Sequence, residues 1–282
     1  MKKTCGFLLY ENVKGQKDAA SSRIRGRWLV KYMPEAEEFI YGRKYEVIFF
    51  QKIYPLEYTK MFKGIKIFDI CDTEWVLREP VREMIELCDA CTVPTQEYKD
   101  FLEKVTDKPI YLMKDRHDLE YFKEHKQHSK RAKEVVWYGY SHNSHVLKSV
   151  VPSLKRYKLG LSLITEQHMT IVSSKEGVKE RWTKWDLKSV NREIIKSDIV
   201  VMPGSLKAND RFKSDNKIIN AYLLGMPVAK SIEDLKKFLN PEARQEEGDK
   251  MREYARENYN IVDSVKELRG IIDEIKRNKT KS

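Results

Sequence analysis

The chain has 282 residues, enough for one large domain or, as read here, two of about 130 residues each. No run approaches the roughly 18 consecutive apolar residues that span a bilayer. Lys plus Arg of 54 against Asp plus Glu of 43 leaves a net charge of +11, which favours a nucleic acid, an acidic membrane surface or an acidic glycan as partner. The basic start around Lys2 and Lys3 precedes an apolar stretch too short for a signal peptide, so it reads as a first strand and the expected location is the cytoplasm.

Short apolar runs alternate with helical patterns along the whole chain, the pattern of an α/β protein with parallel sheets. In the first half the spacing predicts strands over 6–10, 46–50, 66–70, 90–93 and 110–112, with helices over 23–32, 78–87 and 96–105. Behind the first strand, Gly15 loosens the chain, and Ser21 or Ser22 is placed to cap a helix carrying Arg23, Arg25 and Arg27. Arg23 is the candidate anion contact, with Ser22 and Arg25 beside it; the alternative is a surface helix of solvated arginines. Asp69 and Asp72 stand where the third predicted strand ends. A carboxylate there can take a proton from an acceptor hydroxyl, Asp72 being the better placed, or it can simply close a turn. Trp75 can stack on a sugar or a base, or pack. Cys88 and Cys91 form a Cys-x-x-Cys without a second ligand pair, which favours buried structural cysteines over zinc or redox chemistry. Residues 114–133 are polar and charged and read as the connection between halves. Within it, Arg116 can reach a phosphate, and His117 is a candidate base or a solvated linker histidine.

The second half opens with a predicted strand over 134–138 and the loop Gly139-Tyr140-Ser141-His142-Asn143. A glycine directly after an apolar strand brings backbone N–H groups close to phosphate, and Ser141, His142 and Asn143 can add donors; an ordinary strand-to-helix turn is the alternative. Further strands are expected over 159–164, 168–172, 198–202 and 227–229. Between the last two, a helix is predicted over 212–224, stopped by Gly225. Arg211, Lys213 and Lys217 gather at its entrance with Ser214, Asp215 and Asn216 among them. The i,i+4 spacing places Lys213 and Lys217 on one helix face, where cations and a helix N-terminus suit a diphosphate; a solvated basic helix start is the alternative. Two helices, 241–258 and 262–276, close the chain, the second capped by Asp263 or Ser264. No metal-binding signature is present, which points to a metal-independent reaction and no cofactor.

The succession of strand, loop, Lys213-Ser214-Asp215-Asn216-Lys217, helix and Gly225-Met226-Pro227-Val228 resembles the donor site of GT-B glycosyltransferases. It is most similar to the group-1, family-four sugar-nucleotide enzymes in their short phage and metagenomic form. That family usually carries two glutamates with seven residues between them; Phe212 and Asn220 stand in their places here, so the first one's work would pass to Asn216, Lys217 or Asn220. The resemblance implies two Rossmann-like domains facing across a cleft, an acceptor-side domain over 1–120 and a nucleotide-sugar-binding domain over 134–258. It also implies a last helix, 262–278, that crosses back to the first. The donor would be UDP- or GDP-linked, held by Gly139, Ser141, His142, Asn143, Arg211, Lys213, Ser214, Asn216 and Lys217. Asp72, Asp69 and His117 are the catalytic candidates, and Ser22, Arg23, Arg25, Trp75 and Arg116 the acceptor or phosphate contacts. Among acceptors, a hydroxymethylated pyrimidine in phage DNA is placed first, with the basic stretches 123–133 and 148–158 and the final lysines facing duplex phosphates and Trp75, Tyr54 or Tyr140 stacking on an extruded base. A lipid-linked or surface glycan, or a non-catalytic nucleic-acid-binding role, are the rivals.

Overall fold

A computed structural model describes residues 2–15, 18–71, 79–171, 177–204 and 212–281. These divide into two compact units, one holding the described residues of 1–118 with 212–215 and 259–281, the other those of 119–206 with 216–258.

The first unit is built on a six-stranded, wholly parallel sheet. Its strands are β1 (Cys5–Leu9), β2 (Ala36–Glu38), β3 (Val47–Gln51), β4 (Ile65–Asp69), β5 (Ala90–Val93) and β6 (Ile110–Leu112), in the order β2-β1-β3-β4-β5-β6. Near-continuous apolar runs such as Val47-Ile48-Phe49-Phe50 mark strands covered on both faces, and all of β3 is buried. The short strand β2 and the helix Leu56–Met61 are too brief for a periodic signal and were not expected. Ser22 does not cap a helix. The helix already runs through Ala20–Ser22, passes a π-turn at Arg23–Arg27 and continues as Trp28–Tyr32. The C-terminal helix Ile261–Lys281 belongs to this unit, and its first turn is capped by Asn260, whose side chain accepts from the Val262 N–H, rather than by Asp263 or Ser264.

The second unit holds β7 (Glu134–Tyr138), β8 (Gly160–Thr165), β9 (Glu180–Lys184), β10 (Ile199–Val201) and β11 (Val228–Ala229), parallel in the order β11-β10-β7-β8-β9. The strand expected over 168–172 is corrected: its described residues are not strand, and the edge position is taken by Glu180–Lys184. That sequence, Glu-Arg-Trp-Thr-Lys, is too polar to read as a core strand, yet a half-exposed edge tolerates it. The helix at the diphosphate candidate is Asn216–Leu223. Gly225, at φ +73°, ends it by donating to the Tyr222 carbonyl.

Residues 119–133 are not a free linker. Phe122 is buried, the Lys126 N–H donates to the Leu224 carbonyl, and the Lys126 ammonium, 3.6 Å from Asp198, donates to the Ile195 carbonyl. Burial lowers the pKa of Lys126 against the pull of Asp198. The exposed cations of this stretch are Lys123, Lys130, Arg131 and Lys133. Cys5, Cys88 and Cys91 are buried free thiols, with burial raising Cys5 and Cys88 to about 12. Among the described residues there is no cluster able to hold a metal ion, and no helix long and apolar enough to cross a membrane.

Candidate functional site

Open parallel sheets bind ligands beyond the carboxyl ends of their strands, at the point where strand order reverses. In the second unit that point lies between β7 and β10, which pair through Ile199–Val135 and Val200–Val136. β7 runs into Gly139 and β10 precedes the helix that carries Lys217, so the two sequence candidates are brought together.

Gly139 has φ +153°, and a Cβ there would stand 3.2 Å from the Lys217 ammonium and 3.4 Å from the Trp137 ring. The glycine is required by its backbone conformation, and a side chain there would press on the Lys217 ammonium. Trp137, buried at the end of β7, offers its ring face 5.7 Å from Lys217 Nζ. The Tyr138 hydroxyl donates to the Lys217 carbonyl at 2.5 Å and is also bonded by Asn220. Lys217 is thus oriented at both ends, on the first turn of an eight-residue helix. An ammonium so held, beside a glycine and a helix N-terminus, suits a diphosphate.

Ser141 begins a 3-10 helix, Ser141–Ser149, and its donors are already engaged. Its N–H donates to Glu166 Oε2 at 2.9 Å and its hydroxyl to Glu166 Oε1 at 2.6 Å. Ser141 is therefore a partner of Glu166 rather than an open phosphate donor. His142 is exposed and stacks on Tyr140 at 5.7 Å, and the Asn143 N–H turns back to the Tyr140 carbonyl. Lys213 is exposed but precedes the helix, so the i,i+4 pairing with Lys217 does not hold. Arg211 lies outside the described residues.

The first unit treats its charges differently. Arg25 is 1% exposed and donates to both oxygens of Asp69 at 2.9 Å, to Asp115 Oδ1 at 2.6 Å and to the Met113 carbonyl at 2.7 Å. Thr92 donates to Asp69, and the Ser214 hydroxyl bonds the second oxygen of Asp115. Burial opposes the charge on Arg25, but Asp69 and Asp115 hold its pKa above the ordinary value. Asp69 therefore presents no carboxylate to a substrate; burial raises its pKa while Arg25 pulls it down. Arg25 is correspondingly no surface anion contact, and Ser22 is buried with its hydroxyl donating to Gln51. Arg23 is partly buried, donates to the Asp18 carbonyl and sits 5.5 Å from the Trp28 ring centre. Arg116 is clamped by Glu267 at 2.6 and 2.7 Å. His117 is neither a solvated linker residue nor an exposed base: it is 1% exposed against Trp28, and burial lowers its pKa to about 4. Phe212, in the place of the first family glutamate, packs in this unit's core against Tyr98 and Phe101 at 5.4 and 5.3 Å. Asp72 and Trp75 lie outside the described residues. Glu166, Trp137 and Asp115 were missed by motif reading; position was the available signal, since each adjoins the end of a strand.

No protein-family model matches the sequence, and comparison with curated proteins gives no match. Solved structures do match. HepE of Anabaena, in complex with UDP and glucose, superposes with a TM-score of 0.68 at 10% identity, over 97% of this chain and 100% of its own. The lipopolysaccharide outer core galactosyltransferase WaaB, in its apo form, gives 0.62 at 11% identity over 97% and 99%. TarM of S. aureus, in complex with fondaparinux, α-GlcNAc-glycerol and UDP, gives 0.59 at 13% identity over 86% of this chain; the chain spans 56% of TarM. The two parallel-sheet α/β units have the GT-B glycosyltransferase fold.

Proposed function

We propose that this chain is a glycosyltransferase that moves a sugar from a nucleotide-sugar donor, UDP-linked, to an acceptor hydroxyl. The observation that carries the reading is Lys217, seated on Trp137 beside Gly139 at the strand reversal between β7 and β10. A fixed cation there stabilises the negative charge that grows on the departing diphosphate. Arg211 and Lys213, a few residues earlier, are assigned to the same leaving group, and no metal is invoked. UDP in the HepE and TarM complexes supports the choice of nucleotide. With Asp69 and His117 buried, Asp72 is left as the preferred base for the acceptor proton.

For the acceptor, two readings have an observation each. The description of WaaB as a lipopolysaccharide galactosyltransferase and the α-GlcNAc-glycerol in the TarM complex favour a surface glycan. The exposed cations Lys148, Lys155, Arg156 and Lys158 favour a polyanion such as DNA with hydroxymethylated pyrimidines. The test is transfer of radiolabelled sugar from UDP donors onto a glycan extract, hydroxymethylated DNA and unmodified DNA. Label is expected on one acceptor class with the native chain and at least about a hundredfold less with Lys217→Ala, the loss typical of one transition-state donor. Unchanged transfer by that variant sinks the assignment of Lys217, and no transfer or nucleotide binding with any donor sinks the enzymatic reading.

A further inference from the structure

In the second unit, two acidic residues among those described lie within two positions of the carboxyl ends of strands: Glu166 directly after β8 and Asp186 two residues after β9. Asp186 is engaged locally, accepting the Ser189 hydroxyl at 2.8 Å. Glu166 stands one strand from the Gly139 loop, because β8 pairs with β7 in the register Tyr138–Ile164. Its residue is exposed, yet its carboxylate is fixed by the two donors of Ser141. Gln167 donates to the same Ser141 hydroxyl at 2.8 Å, so that hydroxyl's own proton is directed to Glu166. Burial of the carboxyl raises its pKa, but the Ser141 donors outweigh this and leave it below the ordinary value. A carboxylate has about four acceptor positions, and Ser141 does not exhaust them.

In the Rossmann dinucleotide-binding fold, an acid past the phosphate loop accepts a hydrogen bond from a ribose hydroxyl, and Glu166, at the end of the strand that follows the Gly139 loop, is placed for the same contact. We propose that Glu166 binds the ribose 2′- and 3′-hydroxyls of the nucleotide whose diphosphate lies at Gly139 and Lys217, with Ser141 as its positioning residue. The proposal rests on the donor reading above. It assigns nucleotide recognition to the β8 end, while Phe212 and Asn220, in the places of the family's glutamates, serve the first unit's core and Tyr138.

The test is titration of the full chain with UDP and with 2′,3′-dideoxy-UDP, followed by calorimetry. The native protein is expected to bind UDP at least about tenfold more tightly than the dideoxy nucleotide, the size of a hydrogen bond to a charged group. Glu166→Gln is expected to lose that preference by weakening UDP alone, and Ser141→Ala to erode it partly. Equal binding of the two nucleotides by the native protein overturns the proposal without recourse to any variant, as does equal weakening of both by Glu166→Gln. If neither nucleotide binds the native chain, the donor reading fails and this proposal fails with it.

Discussion

The two units share a wholly parallel sheet and a reversal of strand order, yet they handle charge at the strand ends in opposite ways. In the first, Arg25, Asp69 and Asp115 form a buried ion cluster whose donors and acceptors are met by Thr92, Ser214 and the Met113 carbonyl. In the second, Lys217 stands over the buried Trp137 and Tyr138, Glu166 is held by Ser141, and both keep part of their surface in solvent. A charged pair sealed at 0–8% exposure has no capacity left for a ligand. The comparison teaches that a charge at the end of a parallel strand is a binding candidate only if the fold leaves some of its hydrogen-bonding positions unfilled.

The largest test of this contrast removes the cation from the sealed cluster. Arg25→Met leaves two carboxylates desolvated and facing each other, and removing one partner of a buried pair costs about 3–5 kcal/mol. The expected result is a fall of that size in the free energy of urea unfolding. Adding Asp69→Asn and Asp115→Asn to Arg25→Met should recover part of the loss, because the uncompensated charges go with it. A loss below about 1 kcal/mol for Arg25→Met, typical of a surface pair, would show that the cluster is not sealed.

That cluster also marks the limit of what could be read from sequence. Ile67-Phe68-Asp69 announces a buried strand with an acid at its end, and the same signal serves a catalytic base and a core ion pair equally well. The partner Arg25 lies 44 positions away, on a helix whose arginine spacing looks like a solvated face. In the fold that residue lies in the π-turn at Arg23–Arg27 and is buried. The strands were legible because parallel strands covered on both faces are near-continuous apolar runs, as β3 and β7 are. β9 failed that criterion because an edge strand need not be apolar. Gly139 and Lys217 could be singled out as candidates because phosphate chemistry asks for such residues beside a strand end, and the fold does bring them together. Glu166 was not, because its role is set by the register of β8 against β7 and no motif surrounds it.

A smaller effect is expected on the open side of the comparison. Gly139→Ala combines a backbone conformation that L-residues rarely adopt with a methyl 3.2 Å from the Lys217 ammonium. Strain of this kind costs about 1–3 kcal/mol, and displacement of Lys217 should carry part of it into binding. UDP affinity is expected to fall about tenfold, and the free energy of urea unfolding to fall by about 1–3 kcal/mol because the folded chain carries the strain. Unchanged affinity in a folded Gly139→Ala protein would detach Lys217 from the donor site.

The smallest effect comes from His117, a group buried like Arg25. Burial holds its pKa near 4, against 6.5 for the free side chain, Asp115 raising it a little and Arg23 lowering it. Between those values the unfolded chain binds a proton that the folded chain refuses. Stability from this residue is therefore fully present above pH 6.5 and declines as the pH falls towards 4. From pH 7 to pH 5.5 the contribution amounts to about 1 kcal/mol. Glu11 and Asp69, whose pKa values burial raises, act in the opposite sense, so the difference between native protein and a variant is the quantity to measure. His117→Leu should fit beside Trp28, where the imidazole ring lies 5.6 Å away, and should flatten the pH dependence of urea unfolding by that amount. If the native protein and His117→Leu lose stability in parallel from pH 7 to 5.5, His117 titrates near its ordinary value and its seal is no tighter than that of the charges in the second unit.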